Sequence, residues 1–156
     1  MLDARIVDQE GPVVTEEKSY KKYIVNGSAD VDATDTLIWL RNKDDGRKLV
    51  IDSIKVFSDA ATQYQIHKPS GTTAAGTELT PVGKDLEDGT SQAVEAYYDE
   101  TGNTQGTIVE RAYGAANEVV ECAKGFELGY NQELAVDIVS EPTGCWAQAE
   151  FHFEED

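Results

Sequence analysis

His67 and His152 are the two histidines of this chain, and they bound the acid–base chemistry available to it near neutral pH. His67 lies in Thr62–Lys68 (TQYQIHK), where Tyr64 and Ile66 point one way and Gln63, Gln65 and His67 the other. His152 alternates outward in Cys145–Phe153, so both are expected at the surface. Nucleophilic catalysis needs a serine or cysteine in a recognisable setting. The chain has neither Gly-x-Ser-x-Gly nor a cysteine with a nearby histidine. Cys122, Cys145, His67 and His152 show no zinc-ligand spacing. Carboxylates are so plentiful that chance pairs mean little, and a glycosidase needs two facing each other across a cleft. The chain is not expected to be an enzyme.

Hard-oxygen chemistry has more material. Asp30-Val-Asp32-Ala-Thr-Asp35 places three carboxylates on one short stretch, and Asp99-Glu-Thr-Gly-Asn103 resembles a second such loop. Neither follows the twelve-residue EF-hand, which needs Asp first, Gly sixth and Glu last. Asp30, Asp32 and Asp35 are the calcium candidates, against the plainer reading of solvated turns; no other cofactor is expected. Basic residues interleave with aromatics at Tyr20-Lys-Lys-Tyr23, read as a strand with an exposed basic face or a contact with an acidic neighbouring subunit.

Thirty acidic residues against 13 basic ones give a net charge of −17, and Glu95–Asp156 holds 14 acidic residues against Arg111 and Lys124. Such a surface repels phosphate backbones, which argues against nucleic acid as a partner. Solubility by self-repulsion is the plain reading; a basic partner, a high-salt habitat or bound divalent cations are the sharper ones. The N-terminus (MLDARIVDQEGPVV) lacks the basic region and apolar core of a secretory signal, and no apolar run reaches membrane-spanning length. A protein made in a cytoplasm, without a membrane partner, is expected. Two cysteines are too few for a disulfide framework, so buried free thiols are expected.

The elements that must position these residues are read outward from Thr36–Phe57. Two apolar runs, Leu37–Leu40 and Leu49–Val56, flank Lys43-Asp44-Asp45-Gly46, and Asp-Gly between strand-like runs predicts a central antiparallel hairpin. Leu37–Leu40 and Leu49–Ile51 are apolar on both faces, a hint that a subunit, an arm or the chain's own loops cover the outer side. Met1–Ser19 reads as an N-terminal arm or extension and residues 20–156 as a single β-sandwich domain. Further strands are read at Tyr20–Asn26, closed by Asn26-Gly27, and at Thr62–Lys68, stopped by Pro69. Others follow at Gln92–Tyr98, Thr107–Tyr113 paired with Glu118–Lys124 across Gly114, Leu134–Val139 and Cys145–Phe153. Pro69–Ser91 is a long Gly/Thr/Ser-rich loop, a candidate for interaction. Eight or nine short strands with little helix predict an all-β, jelly-roll-like antiparallel sandwich.

The order of pieces across Leu37–Val82 carries a resemblance. LIWLRN, the turn KDDGRK and LVIDSIKV lead into YQIHKPSGTTAAGTELTPV, with Asn42, Gly46, Lys48, Leu49, Ile51, Gly76, Thr77, Thr80, Pro81 and Val82 at the matching positions. This resembles small jelly-roll virion structural proteins of tailed bacterial and archaeal viruses, and FELGYNQELAVDIV with the closing aromatic strand looks like their last hairpin. Ala75 stands where a first Gly is usual, and Gly83-Lys84 where Asn-Leu is usual. The resemblance implies a capsid decoration (cement) protein, a homo-oligomer and typically a trimer, located on the virion against the major capsid protein. A tail or fibre component, or a carbohydrate- or host-surface-binding module on the same fold, is the alternative. Thr77, Leu79, Thr80, Pro81 and Val82 are the interface candidates.

Overall fold

The structure, a computed structural model, describes residues 20–28, 36–70, 76–85, 89, 93–100, 104–140 and 142–155. Met1–Ser19 and the calcium candidates Asp30, Asp32 and Asp35 lie outside them, as do residues 101–103 of the second acidic loop. Twelve strands are described: β1 (Lys22–Ser28), β2 (Thr36–Asn42), β3 (Arg47–Ser58), β4 (Thr62–Ser70), β5 (Thr77–Leu79), β6 (Val82–Gly83), β7 (Val94–Glu100), β8 (Thr104–Gly114), β9 (Glu118–Cys122), β10 (Glu127–Leu128), β11 (Glu133–Ile138) and β12 (Cys145–Glu155). They form two antiparallel six-stranded sheets packed as a β-sandwich, and no helix occurs among the described residues. The first sheet runs β9-β3-β12-β1-β6, with β10 following β9 along the same edge of β3; the second runs β5-β7-β2-β11-β4-β8.

The chain crosses between the sheets at β1–β2, β2–β3, β3–β4, β5–β6, β6–β7, β8–β9, β10–β11 and β11–β12. The nine strands read from the sequence are all present, but three expected pairings are not. β2 and β3 belong to opposite sheets, as do β8 and β9, and β11 and β12. For β2 and β3 the reason is visible at Asn42, which is fully buried. Its Nδ2 donates to the carbonyls of Arg47 and Leu128 at 2.9 Å, and its Oδ1 accepts from the Asp44 amide at 2.8 Å. Asp44 then accepts from the Gly46 amide and pairs with Arg47 at 2.7 Å. Side chains thus turn the chain over the end of the sandwich. Gly46 does not take the positive φ that an Asp-Gly hairpin turn would demand.

The core lies between the sheets. Ile38, Leu40, Tyr64, Ile66, Tyr98, Val136 and Ile138 of the second sheet meet Val25, Leu49, Ile51, Ile54, Val56, Ala147, Ala149 and Phe151 of the first, all essentially inaccessible. Burying each such Val, Ile, Leu or Phe contributes roughly 1.5–3 kcal/mol. Gly27, read as a terminator, sits inside β1 opposite Ala147. These two small residues leave room for Tyr98, which crosses the sandwich and donates its hydroxyl to the Cys145 carbonyl at 3.1 Å. Pro69 likewise falls inside β4, at a register shift between Lys68 and Ser70, where a residue without an amide hydrogen is tolerated. Cys122 and Cys145 are buried thiols, and burial pushes the Cys122 thiol up to about 12.

At Trp39 the outer face of the second sheet is covered from within the chain. The ring is inaccessible, with Tyr97 packed at 5.6 Å and the Arg41 guanidinium 4.9 Å over it. Arg41 is held by Glu95 at 3.3 Å and Glu133 at 2.9 Å. Three of the sheet edges are short or irregular: β5 and β6 have three and two residues, and the pairing of β8 with β4 shifts register at Ile66/His67 and at Lys68/Ser70. Bulged or short edges resist uncontrolled strand addition.

Candidate functional site

The five interface candidates lie on one short passage that joins the two sheets along one side. Thr77 and Leu79 belong to β5, the edge of the second sheet; Val82 begins β6, the edge of the first. Thr77 and Thr80 are exposed and Val82 is 41% exposed, whereas Pro81 is buried and Leu79 packs half-buried against the core. Leu79 and Pro81 anchor the passage; Thr77, Thr80 and Val82 are presented to the outside. The Gly83 amide donates to the Gly89 carbonyl and the Lys84 amide to the Lys22 carbonyl, both at 2.7 Å, which fixes the passage to β1. Beside it lies a shallow cavity of about 370 Å³, lined by Ile24, Asn26, Thr80, Val82, Gly83 and Lys84.

Both histidines depart from the surface positions expected of them. His67 is fully buried on the outer side of the second sheet. The Gly106 amide donates to its Nδ1 at 3.3 Å, so the hydrogen is assigned to Nε2, which donates to Asp137 Oδ1 at 2.9 Å. Thr36 Oγ1 donates to the same oxygen at 2.8 Å, and Gln105 Nε2 donates to Oδ2 at 3.0 Å. The amides continue outward, Gln105 to Gln65 at 2.8 Å, Gln65 to Gln63 at 2.7 Å and Gln63 to the Tyr113 hydroxyl at 2.6 Å. A His–Asp pair has the outward form of a catalytic relay, but a general base needs a nitrogen open to substrate. Here that nitrogen already accepts a backbone hydrogen bond, so the pair holds β2, β4, β8 and β11 together.

His152 sits on the outer face of the first sheet and is 7% exposed. Its Nδ1 faces Asp52 at 3.0 and 3.1 Å, and its Nε2 faces Glu154 at 2.7 Å. Burial alone lowers the pKa of this ring, but the hydrogen bonds to Glu154 and Asp52 outweigh it and raise the pKa above the ordinary histidine value. Elsewhere on that face Val119, Phe57, Trp146 and Ser28 stand in register across β9, β3, β12 and β1. The Phe57 and Trp146 rings are parallel within 6° at 5.8 Å and partly exposed, and Val119 is 53% exposed. Among the other large aromatics, Trp39 and Tyr98 are buried, while Tyr113 reaches the surface as Trp146 does.

A cavity of about 400 Å³ is lined by Lys68, Val109, Phe126, Leu128, Glu133 and Leu134, among others. Among the described residues no group of three or more His, Cys, Asp or Glu side chains is placed to hold a metal ion. One sequence signal does point to the buried pair. Asp137 interrupts the apolar run Leu134–Val139, and a carboxylate there requires partners. Nothing local identifies His67 and Thr36 as those partners. Comparison with protein-family models, with curated proteins and with solved structures finds no match.

Proposed function

We propose that this chain is a non-enzymatic virion structural protein that decorates and stabilises a capsid as a homo-oligomer, with the major capsid protein as its partner. The observation that carries the reading is the β5–β6 passage, an anchored, solvent-facing segment spanning the edges of both sheets. The β-sandwich frame and the Leu37–Val82 resemblance agree with it. Contacts of this kind stabilise by mass action: surface buried between subunits favours the assembled state in proportion to partner concentration. Size-exclusion chromatography with light scattering tests the oligomer. The intact chain is expected to run as a trimer, and Val82→Asp and a chain beginning at Ser19 to shift it towards monomer. A monomer at all concentrations would overturn the trimeric form of the proposal.

A second reading, carbohydrate binding, is favoured by the parallel Phe57–Trp146 pair, because ring faces on a flat sheet suit the apolar faces of sugars. Asn26 and Gln148, hydrogen-bonded at 3.4 Å, supply amides one row away. The chain has two tryptophans and Trp39 is inaccessible, so a bound glycan would report through Trp146. Binding to a glycan array that quenches tryptophan emission and disappears in Trp146→Ala would support this reading; an array without hits removes it.

A further inference from the structure

We propose that His152 is a protonation-dependent latch that holds Tyr20, and with it the point where residues 1–19 join the sandwich, against the first sheet. The Tyr20 ring stacks on the His152 ring, with centroids 4.6 Å apart and planes inclined by 22°. On its other side Tyr20 borders an open cavity of about 270 Å³ with Lys21, Tyr23, Arg47, Phe153 and Glu155. The imidazole is therefore a principal seat of this side chain.

That seat depends on charge. Each ring nitrogen faces a carboxylate at 2.7 to 3.1 Å, and only an imidazolium can donate at both. Loss of the proton turns one nitrogen lone pair towards a carboxylate at contact distance. One of the two pairs must then open, and the ring shifts with it. The same loss removes the cation–π attraction between the charged imidazole and the Tyr20 face. Both contacts that fix Tyr20 weaken in one titration.

The charged groups around His152 come from three strands. β3 contributes Asp52, with Val50 directly opposite the histidine. β12 contributes Glu150 and Glu154, two residues to either side. β1 places Lys22 opposite, its ammonium 3.9 Å from Asp52 and 3.6 Å from Glu150. Lys84, which follows β6, is engaged with Glu150 at 3.0 Å, and Lys48, opposite Glu154, with Glu127 at 3.0 Å. Three carboxylates against two lysines, Lys22 shared between Asp52 and Glu150 and Lys84 on Glu150, leave a net negative environment that favours the imidazolium. The pKa of His152 is accordingly raised, so the stability it contributes is fully present below the unfolded value of about 6.5 and is lost as pH rises through the folded value. The latch is closed in mild acid and opens as pH rises through the folded value, which lies above about 6.5. It stands independently of any role on a capsid.

Nuclear magnetic resonance of the full chain, labelled at histidine and tyrosine, tests the latch between pH 5 and 9. The His152 Cε1–H signal is expected to titrate with a midpoint above about 6.5. Contacts between the Tyr20 and His152 rings should vanish over the same midpoint. Glu154→Gln, which keeps the shape and removes one charge, should lower both midpoints together by about one unit. His152→Gln should leave Tyr20 without any transition. The proposal is overturned if Tyr20 keeps its position while His152 titrates, if the Tyr20 transition ignores Glu154→Gln, or if the His152 midpoint lies at or below the ordinary value.

Discussion

Asp137→Ala is expected to destabilise the sandwich by about 3 kcal/mol or more, read from urea unfolding followed by tryptophan fluorescence. Asp137 accepts hydrogen bonds from His67, Thr36 and Gln105, which bring β4, β2 and β8 onto β11. A hydrogen bond to a charged group contributes about 1.5–3 kcal/mol, and buried donors left without an acceptor add a desolvation penalty. Asp137→Asn separates the two parts of this cost. Its remaining oxygen can still accept from His67 and Thr36, but its amide would oppose the Gln105 amide, so a loss of about 1 kcal/mol is expected. Equal and negligible losses in the two variants would show that the buried pair does not hold the strands.

Gly27→Val is the second large effect. A strand interior normally welcomes valine, so propensity alone predicts a gain. Packing predicts the reverse, because a Cβ at position 27 would lie only 2.7 Å from the Tyr98 Cβ and closer still to its ring. Tyr98 is inaccessible and hydrogen-bonded to Cys145, so it has nowhere to yield. A loss of about 3 kcal/mol is expected from overpacking. Tyr98→Ala alone should cost about 3 kcal/mol by leaving a cavity, yet much less in the Gly27→Val background, where valine occupies part of that space. Additive losses in the double variant would contradict direct contact between the two positions.

These two sites mark where sequence reading succeeds and where it stops. Alternation and continuous apolar runs over five to twelve residues located all nine longer strands. β5, β6 and β10, at two or three residues each, are too short to display any period. Sheet membership was harder still. The Asp-Gly turn reads as a hairpin locally, but the chain crosses sheets there because Asn42 bonds to Leu128, 86 residues away. Gly27 reads as a terminator for the same reason: Tyr98, the side chain that needs the space, is remote in sequence. The strand that starts at Val82 was legible despite its length, since Thr-Pro-Val after a Gly-rich stretch signals a fixed return to a strand. His67 and His152 were misplaced because alternation assigns a face without saying what covers that face.

The measurement that bears most directly on the proposed role is quantitative mass spectrometry of purified virus particles produced by the genome that encodes this chain. A decoration protein is predicted to be present in a copy number comparable with that of the major capsid protein and to leave the particle without loss of the capsid shell. A few copies per particle would place it in a tail or fibre instead. Its absence from washed particles, with the chain abundant in the producing cell, would contradict a place on the virion altogether.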